Sequence, residues 1–126
     1  MRFTQQIREA VAAELNTLVG YTVYPYFKDN IDKQKLPALT VTIGSGVWEN
    51  GASDCLMPCR IEIKDYSSKI DNKLDDHAEI IEPLFPIGHT LNELVEYMIP
   101  ESFDYSFDSE SNTGIMGLNF NIKWEK

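Results

Sequence analysis

The sequence contains no apolar run approaching the ~20 residues that a membrane-spanning helix needs, and no basic segment followed by an apolar one in the manner of a secretory leader. A soluble, cytosolic protein without a membrane partner is therefore expected. Positive charge is also scarce: 11 Lys and Arg stand against 20 Asp and Glu, a formal net charge of -9. Such a balance disfavours nonspecific attraction to phosphates, so no direct sequence-specific nucleic acid partner is expected. It suits plain solubility, a protein that DNA passes without sticking, or one that docks on basic protein patches. Cysteine is limited to Cys55 and Cys59, in a segment that reads as strand. Four residues of strand span about 13 Å, beyond a disulfide's reach, so two free thiols are expected. The same spacing argues against a shared zinc with His77 or His89, although a bend at Pro58 would shorten it.

Chemical motifs are equally sparse. There is no glycine-rich phosphate loop, paired-cysteine zinc motif, H-E-x-x-H or EF-hand spacing, and Gly44-Ser45-Gly46 lacks the third glycine and following helix of a dinucleotide loop. His77 lies beside Asp75, Asp76 and Glu79 with no Ser or Cys nucleophile paired to it, and reads as a solvated side chain rather than a base. His89, after Gly88, has no stronger claim. No catalytic residue and no required cofactor is assigned, and the protein is read as non-enzymatic. Asp71 and Asp75, one helical turn apart, share a face and could hold a hydrated Mg²⁺; the alternative is an N-cap and a solvated face.

What is present is the composition of one ordinary domain, residues 1–126, with 43% hydrophobic and 25% charged content. Roughly two thirds of the unfolded chain's surface is buried at this size, enough for one core. Thr4 to Leu18 reads as an amphipathic helix, capped by Thr4, with Ile7, Val11, Leu15 and Leu18 inward and Gly20 as its stop. Thr22 to Phe27 is a short aromatic and β-branched strand run, followed by a polar loop, Lys28 to Lys35. Leu39, Val41 and Ile43 alternate with Thr40 and Thr42, and Cys59, Ile61 and Ile63 with Arg60, Glu62 and Lys64, giving a long hairpin turned at Asn50-Gly51.

Asp71 is placed to cap a second helix, with Leu74, Ala78, Ile81 and Leu84 or Phe85 as its stripe. Thr90 is placed to cap a third, short helix carrying Leu91, Leu94, Val95 and Met98 inward as far as Pro100. Phe103, Tyr105 and Phe107, then Met116, Leu118, Phe120, Ile122 and Trp124, form a terminal hairpin about Ser109 to Thr113. The reading is an α+β (α/β two-layer) fold in the order α, β, β, β, α, α, β, β. It has a mixed or mainly antiparallel sheet of about five strands with helices packed on one face.

The chain resembles the phage tail terminators of the lambda minor tail protein U family over nearly its whole length. The resemblance rests on ordered short features: Ile7-Arg8-Glu9-Ala10-Val11, Leu36-Pro37-Ala38, Ile61-Glu62-Ile63, then Asp71, Leu74 and Asp75. It continues through Asp104-Tyr105, the acidic tip at Asp108 and Glu110, and Leu118, Phe120, Ile122 and Glu125, while Tyr21 to Lys35 departs in length and composition.

The resemblance implies a phage or prophage structural protein that forms a homohexameric ring on the end of the tail tube. That ring would stop tube polymerisation and present the surface on which a head-completion protein joins. Its setting would be the host cytoplasm during assembly and then the virion tail. Magnesium sensitivity of the ring is implied too, with Asp71 the position carried over. The polar tip Trp48, Glu49, Asn50, Gly51, Ala52, Ser53 and Asp54, weakened by Gly44, Gly46 and Gly51, is expected to be mobile in the free subunit and to order on the tail tube protein. One alternative is another tail or head–tail completion protein of similar build. From a different class, the alternative is a small-molecule module with a pocket lined by Tyr24, Tyr26, Trp48 and Tyr105.

Overall fold

A computed structural model describes all residues, 1–126. The first helix, α1, spans Arg2–Leu15 and buries Ile7, Val11, Ala12 and Leu15, the expected face. It begins before Thr4, so Thr4 is not its cap: that hydroxyl lies inside the first turn and donates to the Met1 carbonyl at 2.7 Å. The chain reverses at Gly20, φ +94°, where a side chain would be strained, and enters β1, Thr22–Tyr24. Pro25, which has no N–H to give a ladder, follows at once, so the strand is shorter than the aromatic run suggests.

After a 3-10 turn at Lys33–Lys35, β2 (Ala38–Ile43) pairs parallel to β1 and antiparallel to β4 (Asp54–Tyr66). A short β3, Val47–Glu49, pairs with the same β4 farther along. The sequence suggested about five strands; there are six, because Gly44 to Gly46 interrupts what would be one long strand. Gly44 donates to the Pro58 carbonyl at 2.9 Å, and a Cβ on Gly44 would stand 2.9 Å from the Pro58 ring. The break is thus where β2 passes a proline without a side chain in the way.

Helix α2 spans Ile70–Ile81 and buries Leu74, Ala78 and Ile81, with Phe85 buried just beyond. The residue at its N-cap is Lys69, not Asp71, which sits inside the first turn where its charge faces the positive end of the helix dipole. No third helix follows. Leu91, Asn92 and Glu93 adopt φ +50°, +60° and +69°, which no right-handed helix permits, and Thr90 caps only a single turn by accepting from the Glu93 N–H at 3.2 Å. Leu91 and Val95 are still buried, so the apolar spacing is satisfied by a compact loop. Met98, expected on that helix, lies instead in β5, Tyr97–Asp108, opposite Ile122 of β6, Thr113–Glu125.

The sheet order is β1-β2-β4-β6-β5, mixed, with β3 also on β4 and both helices on one face. All seven residues read as the buried sheet face, Leu39, Val41, Ile61, Ile63, Leu118, Phe120 and Ile122, lie in one core of 22 buried side chains. No helix is long and apolar enough to cross a membrane. Cys55 and Cys59 are free and buried, and burial pushes the Cys59 thiol up to about 12. Ile61 is fully buried at the centre of this core. Ile61→Ala should lower unfolding free energy by roughly 2–5 kcal/mol in urea titrations; a loss under about 1 kcal/mol would mean that the core is not centred there.

Candidate assembly surfaces

The loop singled out in the sequence lies at one end of the sheet. Asn50, Gly51 and Ala52 all take φ between +51° and +70°, and the tip is bonded to itself and to the C-terminus. The Asn50 amide donates to Asp54, the Ser53 hydroxyl to the Asn50 carbonyl at 2.8 Å, and the Lys126 N–H to the Ser53 carbonyl at 2.8 Å. Trp48 at the loop's base meets Phe3 edge-on at 5.7 Å and Trp124 at 6.4 Å, while Phe3 and Trp124 stack at 4.1 Å. This cluster joins the start of α1, β3 and the end of β6. Val47 and Trp48 stay substantially exposed, offering apolar surface beside a polar tip.

Asp71 and Asp75 both lie on α2 and are exposed. Asp75 accepts a hydrogen bond from the Tyr105 hydroxyl of β5, which raises the Tyr105 pKa above its usual value; burial and the charges of Asp75, Asp71 and Glu82 add to this. Two hard carboxylate oxygens one turn apart suit a hydrated Mg²⁺, which keeps most of its waters. No group of three or more metal-ligating side chains is present.

The four aromatic residues of the pocket reading are not brought together. Tyr24 and Tyr26 pair at 5.9 Å at the β1 edge, Trp48 sits in the cluster with Phe3 and Trp124, and Tyr105 is on the opposite edge strand. The strand order itself separates them, so the four line no common pocket.

Two polar networks escaped the sequence reading. His77 is not a solvated side chain: its Nε2 lies 2.7 Å from fully buried Asp65, and its Nδ1 lies 2.6 Å from the Tyr21 hydroxyl. Asp65 also accepts from the Tyr66 N–H at 2.8 Å and pairs with Lys73 at 3.3 Å. Burial, and then the Asp65 charge, raise the Tyr21 pKa, so its hydroxyl stays protonated and is a poor nucleophile. The chain Asp65, His77, Tyr21 thus ties β4, α2 and the start of β1 together. His89 makes a similar tie to Glu14 of α1 at 2.7 Å.

On the helix-free face, Arg60 of β4 reaches over β6 to grip Asp104 of β5 with two bonds of 2.7 and 2.8 Å. Its Nε donates to Glu62 at 3.0 Å and Nη1 to Asn119 at 3.1 Å. A Cβ on Gly117 would fall 2.1 Å from Nη1, so only glycine lets the guanidinium lie flat there. The Arg60 hydrogen bonds hold the Asp104 carboxyl down to about 2.

The sequence matches the phage minor tail protein U family over residues 2–124. The chain belongs to that family. No curated protein sequence matches it. The tail protein U chain is also similar in fold to a chain described as "Virion of native gene transfer agent (GTA) particle", at 13% identity and a TM-score of 0.67, with 94% of each chain covered. The family is one of phage tail structural proteins, and the fold is that of the matched virion chain.

The Asp104 carboxyl ordinarily titrates at 3.8 and is depressed to about 2, so the pair's stabilisation is full above about pH 4 and is lost as pH falls through about 2. Asp104→Asn should therefore be less stable than wild type near neutrality, with the gap closing across that acid window in pH-dependent urea titrations. Gly117→Ala should displace the flexible Arg60 head from Asp104 and cost about 0.5–1 kcal/mol at neutral pH. An alanine variant as stable as wild type would show that the flat crossing is dispensable.

Proposed function

We propose that this chain is the tail terminator of a phage or prophage. It forms a homohexameric ring on the end of the tail tube, stops tube polymerisation, and presents the surface that a head-completion protein joins. Assembly takes place in the host cytoplasm, and the ring stays in the virion tail. The observation that carries this reading is the family match across residues 2–124, which makes the chain a phage tail structural protein. The work of such a protein is geometric: identical head-to-tail contacts close a ring whose two faces differ, so one can meet tube and the other head.

Two surfaces are assigned roles within that reading. The loop Trp48, Glu49, Asn50, Gly51, Ala52, Ser53 and Asp54 docks on the tail tube protein; its exposed Trp48 and polar tip at one end of the sheet support this. Asp71 and Asp75 hold a hydrated Mg²⁺ that eases assembly of subunits each carrying a formal charge of -9. Simple screening and a carboxylate site are separable, because NaCl reproduces the first, whereas the second prefers Mg²⁺ at equal ionic strength.

Electron microscopy of purified tail tubes mixed with the chain, with native mass spectrometry of the caps, should show six-subunit rings on tube ends and no further tube growth. A different ring size, or binding to head rather than tube, would assign it instead to another head–tail completion position. Asp71→Asn should fold normally but weaken any magnesium dependence of the ring; unchanged dependence would remove the metal role. Deleting Asn50 to Ser53 should leave the fold intact while abolishing tube capping, and capping that survives would end the docking assignment.

A further inference from the structure

Charge is divided along this chain. Between Ile70 and Asn112 eleven carboxylates stand against one lysine, Lys73, whereas residues 1–48 carry five Arg and Lys against four Asp and Glu. The fold converts that division into space, because β1 closes one edge of the sheet and β5 the other.

At the β5 edge, Ser102 to Asp108 pairs only with β6, leaving its outer backbone groups without a strand. Phe103, Tyr105 and Phe107 share the face of Leu118 and Met116 but lie beyond the helices, 65%, 38% and 52% exposed. They form a continuous ladder with ring spacings of 6.0 and 5.7 Å. Between this ladder and α2 runs an open groove of about 300 Å³, lined by Asp75, Glu79, Glu82, Phe103, Tyr105 and Met116. No cation of the same chain lies within 4 Å of Glu79 or Glu82. An aromatic edge lined with uncompensated carboxylates fits an apolar, cationic surface.

The opposite edge has that chemistry. Tyr26 and Phe27 follow β1, 50% and 74% exposed, with exposed Lys28 next in sequence. Arg8 donates to the Pro25 carbonyl at 3.2 Å, which holds its guanidinium beside the same segment, and neither Arg8 nor Lys28 has a carboxylate within 4 Å. The two edges lie at opposite ends of one sheet and cannot meet within one molecule.

We infer that the β5 edge and the acidic groove of α2 in one subunit receive the Tyr26-Phe27-Lys28 segment of a second copy. The contact is heterologous, so repetition propagates head to tail and closes into a ring if the rotation allows. The net charge repels copies at a distance, while contact brings the local complements together. This deepens the terminator reading, on which it rests, by assigning the seam between subunits.

The test is a charge swap in the full chain, read by sedimentation velocity and by electron microscopy on tail tubes. Glu79→Lys and Lys28→Glu, both at exposed positions, should each weaken association at least tenfold at fixed ionic strength. A chain carrying both substitutions restores complementarity at every seam and should return to within about threefold of wild type; this rescue also shows that the single variants were folded. Phe103→Ser should weaken association at least tenfold without moving the urea midpoint. Rings unaffected by either single reversal, or left weak in the double variant, overturn the seam assignment and leave the terminator reading standing. A wild-type chain that stays monomeric even on tail tubes overturns both.

Discussion

Thirteen consecutive residue pairs join β4 to β6, from Asp54 opposite Glu125 to Tyr66 opposite Thr113, and the rest of the molecule is hung on that ladder. Its register decides which side chains meet the helices. Met57, Cys59, Ile61 and Ile63 turn inward with Met116, Leu118, Phe120 and Ile122, while Arg60, Glu62 and Lys64 turn out. A slip by one residue would reverse every one of these, exposing the apolar set and burying three charges, so the energetic gap between the native pairing and its neighbours is wide. β2 and β3 add to one side of the pair and β5 to the other.

The helices are fixed to this ladder by apolar packing and by one buried carboxylate. Asp65, at the end of β4, is fully buried yet satisfied by His77, Lys73 and a backbone N–H. An unpaired carboxylate there would be expensive, so α2 must sit where Lys73 and His77, four residues apart on one side of the helix, can reach it. Tyr21 extends the same constraint to the link between α1 and β1. The position of β1, and with it the cationic segment behind it, is thus tied to the placement of α2.

How much of this was legible follows from the range of the signals. Alternation identified β2, β4 and β6 and their buried faces, because strand period and burial are local to a few residues. It could not separate Phe103, Tyr105 and Phe107 from a buried strand, since whether a helix covers them depends on where α2 ends up. The spacing of Leu91, Leu94, Val95 and Met98 matched a helix but was met by a loop in left-handed conformation running into β5, a case in which tertiary burial overrode period. His77 looked solvated because its partner Asp65 belongs to another element. The candidate site was partly visible: the tip at Asn50-Gly51 lies where the turn chemistry put it, whereas the Arg60 crossing over Gly117 depends on three strands being adjacent.

That crossing changes how the edge strand responds to load. β5 is held to β6 by backbone bonds that, taken alone, could unzip one after another from an end. Arg60 bypasses β6 and anchors β5 directly to β4 through two bonds to Asp104, with Asn119 of β6 clamped between them. A pull on the middle of β5 is therefore shared at once by three strands, including the longest pair in the sheet. Peeling gives way to collective shear, and the outermost strand becomes a mechanical part of the centre.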